Sequence, residues 1–264
     1  MPRIPLLVLA VGATIALTGC TASVHDAVSP QHAVVTKAVP VPDGVVGTGT
    51  LTSWNGKTAG SLQVVAHSGK FTFVLSKFST DFAGENLFSL ADSSVTMSRC
   101  GENNLWQIGL DDHGNTVRPT MRFDLPNELG AWGDPSFFQT FLFMQYPVDQ
   151  SLTRGCQQPI IALAKIHWTM TPIYPGLKVR DRGVIPGAQG PIKTVDGAPY
   201  SYRTIQADDW ADIARRFGLT PAELLYLNPI RHPSAEPAIA YTDQVLNLSP
   251  SNRGNSESRR PGAQ

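Results

Sequence analysis

Charge of either sign is scarce in this chain of 264 residues, and what there is cancels: 21 Lys and Arg against 21 Asp and Glu. A neutral balance gives no electrostatic pull toward nucleic acid, so that class of partner is set aside. Cysteine is almost missing, with only Cys20, Cys100 and Cys156. The apolar run at 6–17 is too short for a membrane span, which needs roughly 20 residues. Catalytic signatures are missing too. There is no Gly-x-Ser-x-Gly elbow and no His-Glu-x-x-His helix. His67, His113 and His167 stand singly, without ligand spacing, and read as surface or half-buried histidines. Asp111 and Asp112 sit in a turn context. Glycosidase chemistry needs two facing carboxylates at a set separation, and the turn reading is kept for this pair. No catalytic residue, metal or cofactor is therefore expected.

Glycine and proline are abundant, at 23 and 21 residues, which favours β-structure with many turns and linkers. The length suits two modest domains. From 44 to 171 the apolar pattern has period two. Residues 70–76 alternate, and so do Ile160, Ala162, Ala164, Ile166, Trp168 and Met170, expected on one face. Residues 137–146 are aromatic-rich, as strands are. Asn55-Gly56, 67–69 and 111–115 supply turn signals. About eight short strands with this spacing predict an all-β sandwich or jelly-roll-like domain. Outside the cytoplasm an isolated cysteine pair is usually bonded, so a Cys100–Cys156 disulfide is expected. The loop it closes, on the order of 57 residues, corresponds to about 4 kcal/mol in the chain-entropy model.

The N-terminus reads as a signal peptide over 1–19. Arg3 begins it and an apolar run of a dozen residues follows. Leu17-Thr18-Gly19-Cys20 resembles the lipobox of bacterial lipoproteins. The resemblance implies lipid attachment to the Cys20 sulfur and cleavage before it. Two or three acyl chains hold firmly where one holds only marginally. The implied location is the outer face of the plasma membrane, with residues 20–43, rich in proline, as an extended tether.

Residues 172–199 carry five prolines and several glycines without apolar period and read as a second linker. The period then becomes helical. Asp208 or Asp209 caps a helix whose buried stripe is Trp210, Ile213, Ala214 and Phe217, and Gly218 ends it. Thr220-Pro221-Ala222-Glu223 is a capping box with proline at N1. Leu224 and Leu227 give that second helix its apolar side, and Asn228-Pro229 closes it. Short apolar runs at 202–205 and 245–248 flank the pair. Residues 251–264 are polar and are expected to lack structure. The fold class is thus α+β, an N-terminal all-β domain plus a small βααβ unit at 200–250.

Residues 202–229 resemble a LysM repeat. Tyr202 matches its opening aromatic, Asp208 the acid of its first turn, Trp210, Ile213 and Ala214 its first helix, and 217–220 the inter-helix segment. Leu224, Leu227, Asn228 and Pro229 match the second helix and its end, and 244–248 the closing strand. LysM modules bind N-acetylglucosamine glycans such as peptidoglycan and chitin, in a shallow groove between the loops after the first strand and the second helix. Carried over, the groove involves Ala207, Asp208, Asp209 and Trp210, with Asn228, Pro229 and Ile230 opposite; Trp210 also starts the buried stripe. The sequence departs from the family at Ala207 and Asp243, where glycine is preferred, and at Asp209, where threonine is usual. The loop 231–238 is longer than usual.

The leading expectation is a non-enzymatic lipoprotein held by the membrane at one end and by peptidoglycan at the other. Two rivals stand beside it. Thr153-Arg154-Gly155-Cys156 faintly resembles the nucleophile segment of L,D-transpeptidases, which makes Cys156 a candidate thiol. That chemistry needs an activating His; none lies between Asn115 and Cys156, and only His167 downstream could approach. Alternatively, a face near Phe137, Phe138, Phe141 and Phe143 binds a ligand; these residues equally suit a plain core.

Overall fold

A computed structural model describes residues 37–82, 84–92, 100, 105–111, 119–126, 134–145, 156, 158–229 and 240–253. Cys20 and its lipobox, Asp112, His113, Thr153 to Gly155, Ile230 and the loop 231–238 lie outside these residues.

The N-terminal part is a run of antiparallel strands: β1 (Gly44–Ser53), β2 (Ala59–His67), β3 (Lys70–Ser79), β4 (Asn86–Ala91), β5 (Trp106–Asp111), β6 (Thr120–Asp124), β7 (Thr140–Gln145), β8 (Ile160–Lys165) and β9 (His167–Trp168). They form one nine-stranded sheet in the order β5-β4-β7-β8-β1-β2-β3-β6, with β9 also on β1. The sheet curls until its two end strands come together. Gly109 of β5 lies so close to Phe123 of β6 that a Cβ there would fall 2.6 Å from the ring. The result is a nearly closed barrel; the sequence had left a sandwich and a jelly-roll-like barrel open. Alternation has period two in all of these, so the pattern alone does not separate them. Local devices bend the sheet. Register shifts at Val45/Gly47 in β1 and at Phe143/Met144 between β7 and β8 mark bulges, which increase twist. In β3, the left-handed Lys77 (φ 52°) lets both Leu75 and Phe78 reach the interior.

The interior is aromatic. Phe71, Phe73, Phe88, Phe138, Phe141 and Phe143 are buried. The Phe88 ring lies 4.6, 5.1 and 5.8 Å from those of Phe123, Phe143 and Phe141. Such pairs contribute about 0.5–1.5 kcal/mol each beyond area burial. The aromatic run 137–143 is thus core, not an open ligand face. A second apolar cluster, including Leu87, Leu142, Met144, Ile160 and Leu163, covers the other side of β4, β7 and β8. Ile160 was expected on the face of Ala162 and Ala164. The bulge lies in β8 beside it, since Phe143 pairs with Ala162 but Met144 with Ile160, and a one-residue shift moves a side chain to the other face. Cys100 and Cys156 form a disulfide with Cα atoms 5.5 Å apart, and Cys100 bridges Pro159 at the start of β8.

The C-terminal part is a three-stranded antiparallel sheet with two helices: β10 (Ile192–Val195), β11 (Ala198–Arg203), α1 (Trp210–Arg216), α2 (Pro221–Leu227) and β12 (Val245–Asn247), with β11 central. Trp210, Ile213, Ala214 and Phe217 share one core with Tyr202, Leu224, Leu227 and Leu246. The stretch expected as a linker belongs to this core. Ile173 and Ala188 are buried in it, and Tyr174, Leu177, Val179 and Ile185 pack against it. The segment crosses the C-terminal end of α1, where the amides of Arg180 and Arg182 donate to the carbonyls of Phe217 and Arg216 (3.1 and 2.9 Å). Helix-end carbonyls lack intrahelical partners, and here an extended chain supplies them.

The tail expected to lack structure begins in order. A 3-10 turn, Pro250–Asn252, delivers Arg253 against the barrel. Its guanidinium pairs with the Asp134 carboxylate at 3.0 Å. It also donates to the Asp134 carbonyl, the Ser136 hydroxyl and the Tyr226 carbonyl at 2.7, 3.1 and 2.7 Å. The Tyr226 ring lies 4.0 Å from it. Burial lowers the Arg253 pKa, and Asp134 opposes that shift. Among the described residues no helix is long and apolar enough to cross a membrane.

Candidate functional site

The loop from Thr204 to Asp209 carries three of the residues singled out from sequence, Ala207, Asp208 and Asp209. Asp208 organises it. Its carboxylate accepts from the Tyr202 hydroxyl (2.6 Å), the Ile205 amide (2.8 Å) and the Gln189 amide (2.9 Å). The Tyr202 oxygen in turn accepts from the Gly190 amide at 2.8 Å. Burial, followed by the bond to Asp208, pushes the Tyr202 hydroxyl above its ordinary pKa, so it remains a donor. Asp209 caps α1, accepting from the amides of Ala211 and Asp212 at 2.8 and 3.2 Å. Between Gln206 and Asp208 the chain turns left-handed at Ala207, with φ 67°. Glycine suits that region; a side chain there costs roughly 1–2 kcal/mol. The same holds at Asp243, with φ 62°. These are the two positions at which the sequence departs from a glycine of the resembled family.

Gln206, Ala207 and Asp209 are exposed, whereas Trp210 is buried and donates its indole N–H to the Pro221 carbonyl at 3.3 Å. Asn228 and Pro229 are buried as well. The Asn228 side chain acts as an extra strand partner: its amide donates to the carbonyls of Leu224 (2.9 Å) and Asn247 (3.0 Å), and its oxygen accepts from the Asn247 amide (2.7 Å). Asn247 reciprocates, donating to the Leu227 carbonyl at 3.1 Å. Thr204 ties the loop to 241–244: its hydroxyl bonds the Tyr241 carbonyl, and its carbonyl accepts from the Asp243 amide at 2.9 Å. Of the seven candidate residues, three reach solvent or nearly so on the first loop, three are buried or committed to structure, and Ile230 lies outside the described residues. On this loop the side chains that face solvent are those of Gln206, Ala207 and Asp209, the last engaged in capping α1.

Sequence reasoning passed over the segment 185–190, which sits against the loop. The Asp209 amide donates to the Gly187 carbonyl at 2.7 Å, and Arg216 donates to the carbonyls of Ala188 and Gly190 at 3.0 and 2.9 Å. One signal was present. Asp196-Gly197 between apolar residues is a two-residue hairpin turn, and both residues are left-handed (φ 50° and 76°). It places β10 beside β11 and brings the preceding segment home.

The transpeptidase alternative requires a thiolate at Cys156, and that sulfur is bonded to Cys100. Among the described residues no group of His, Cys, Asp and Glu is arranged to hold a metal ion. No protein-family model, curated protein or solved structure matches this chain.

Proposed function

We propose that this protein is an exported lipoprotein, anchored through acylated Cys20 at the outer face of the plasma membrane, whose C-terminal module is LysM-like and binds N-acetylglucosamine glycan of peptidoglycan without enzymatic action. The observation that carries the reading is the backbone of the first loop. It leaves β11, turns left-handed at exposed Ala207 and enters a capped α1 at Asp209. A surface loop whose backbone is fixed by Asp208 on one side and Asp209 on the other is suited to hydrogen-bond acetamido groups through the main chain. Preorganisation of this kind lowers the ordering cost of binding. Among the exposed side chains of residues 205–209 only Asp209 is charged, which suits a neutral sugar. Attachment at two points on one chain raises the effective concentration of each.

The test uses the full chain in a neutral detergent, incubated with insoluble peptidoglycan freed of phosphodiester polymers by acid treatment. Retention that soluble N-acetylglucosamine oligomers compete away is expected. Absence of retention sinks the glycan reading. The anchor is tested separately by metabolic labelling with a fatty-acid probe: the parent takes up label and Cys20→Ser does not.

A further inference from the structure

The three-stranded sheet of the module has one face on the helices and one face open. Successive residues of a strand point to opposite faces. Tyr202 and Leu246 face the helices and are buried, so Lys193, Ser201, Arg203 and Val245 share the open face. Lys193 stands opposite Ser201 across β10 and β11, and Arg203 opposite Val245 across β11 and β12. With Pro191 and Ile192 they line a cavity of about 450 Å³.

Ser201 is only 8% exposed, yet its hydroxyl makes no hydrogen bond among the described residues. Neither Lys193 nor Arg203 pairs with a carboxylate among those residues, and no acid among them lines the cavity. The Lys193 ammonium rests 5.1 Å from the centre of the Tyr200 ring, whose hydroxyl accepts from the Asn252 side chain at 3.0 Å. Lys193 and Arg203 are diagonal neighbours, about 7–8 Å apart at the backbone, a gap that long side chains span. One carboxylate can therefore meet both cations and the Ser201 hydroxyl. We infer that this cavity binds a carboxylate of a short acidic peptide, of the kind carried by the wall glycan. Arginine's planar fork matches a carboxylate bidentately, and Pro191, Ile192 and Val245 offer a small apolar side chain a place to lie. The position fits as well. β11 runs from Arg203 straight into the loop that starts at Thr204, and the Thr204 amide donates to the carbonyl of Gln244, next to Val245, at 2.8 Å. A glycan on that loop carries its peptides past the open face. The source of the peptide rests on the glycan reading; the carboxylate site does not.

The full chain in neutral detergent is titrated with a fluorescent Ala-Glu-Ala-Ala peptide, with no glycan present. Saturable binding is expected, weakening as salt rises. Lys193→Gln with Arg203→Gln is expected to weaken it about tenfold, and Ser201→Ala about threefold. Lys178→Gln with Arg180→Gln removes the same charge elsewhere on the module and is expected to leave it unchanged. In a second arm the chain is held on peptidoglycan before and after its carboxylates are converted to amides. The parent is expected to bind the amidated wall about tenfold more weakly, and the Lys193→Gln, Arg203→Gln variant to bind the two alike. Four outcomes overturn the inference: no binding of the peptide by the parent, an equal loss in the Lys178 and Arg180 pair, equally tight binding of glycerol phosphate, or equal retention of the parent on the two walls. Peptide binding with retention on neither wall supports the carboxylate site and brings down the glycan reading alone.

Discussion

The barrel and the C-terminal module solve the same problem with different means. The barrel has longer strands, and most neighbours in its sheet pair over five or more residues, bulges apart, so backbone largely satisfies backbone and the interior is left to phenylalanines. The module has helices of seven residues and a closing strand of three. Elements that short leave most of their ends unpaired. Side chains fill in: Asn228 and Asn247 for the join between α2 and β12, Asp208 for the first loop, and Arg216 for the carbonyls of Ala188 and Gly190. A small unit is therefore held by buried polar contacts, each costly to break. A larger one is held by apolar contacts that share the load.

The sharpest way to break this contrast is in the barrel core. Phe88→Ala should destabilise by about 4 kcal/mol through lost contacts and a cavity. Denaturant unfolding should show the barrel transition moving and the module transition staying. Arg253→Met tests the join between the two, at about 3 kcal/mol, because it leaves the Asp134 carboxylate buried without its cation. Both regions should respond, and calorimetry should resolve two transitions more widely separated than in the parent. A change under 1 kcal/mol would count against the join.

Asn228→Ala should cost about 2 kcal/mol, since it orphans the buried amide and carbonyl of Asn247. Amide exchange should quicken in β12 and the end of α2 while β1 to β3 keep their protection. Ala207→Gly runs the other way and should stabilise the module by about 1 kcal/mol by relieving the left-handed alanine. Thermal melting reads the sign, and a destabilised variant would contradict the turn geometry.

The smallest effect is acid dependence. The bond from Arg216 holds the Asp181 carboxyl below its ordinary value of 3.8, with burial opposing. A lowered folded-state pKa means stability that is present above the unfolded value and lost as pH falls through the folded one. Parent and Asp181→Asn should differ in melting temperature at neutral pH and converge below pH 3.8. The partly exposed pair keeps the difference modest.

The helices beside the candidate site were legible before the structure. The stripe Trp210, Ile213, Ala214, Phe217 and the capping box Thr220-Glu223 rest on local spacing, and both stand where that spacing put them. The Cys100–Cys156 bond was the expected pairing once Cys20 was assigned to the anchor, and it displaces the reading of Cys156 as a free thiol. What escaped was the segment 172–191. Its prolines and glycines carry no period, and its partners lie across the chain at Phe217, Asp208 and Arg216. Arg253 escaped for the same reason: a polar tail gives no local hint that one guanidinium will be buried against Asp134.

By itself the sequence determined what depends on near neighbours: strand alternation, helix caps and the left-handed demand at Ser68-Gly69 and Asp196-Gly197. Tertiary structure alone decided that the sheet curls into one barrel, that Ile160 turns outward, and that Asn228 serves a strand and not a surface. Each of these depends on which distant backbone groups need a partner, and local pattern does not encode that need.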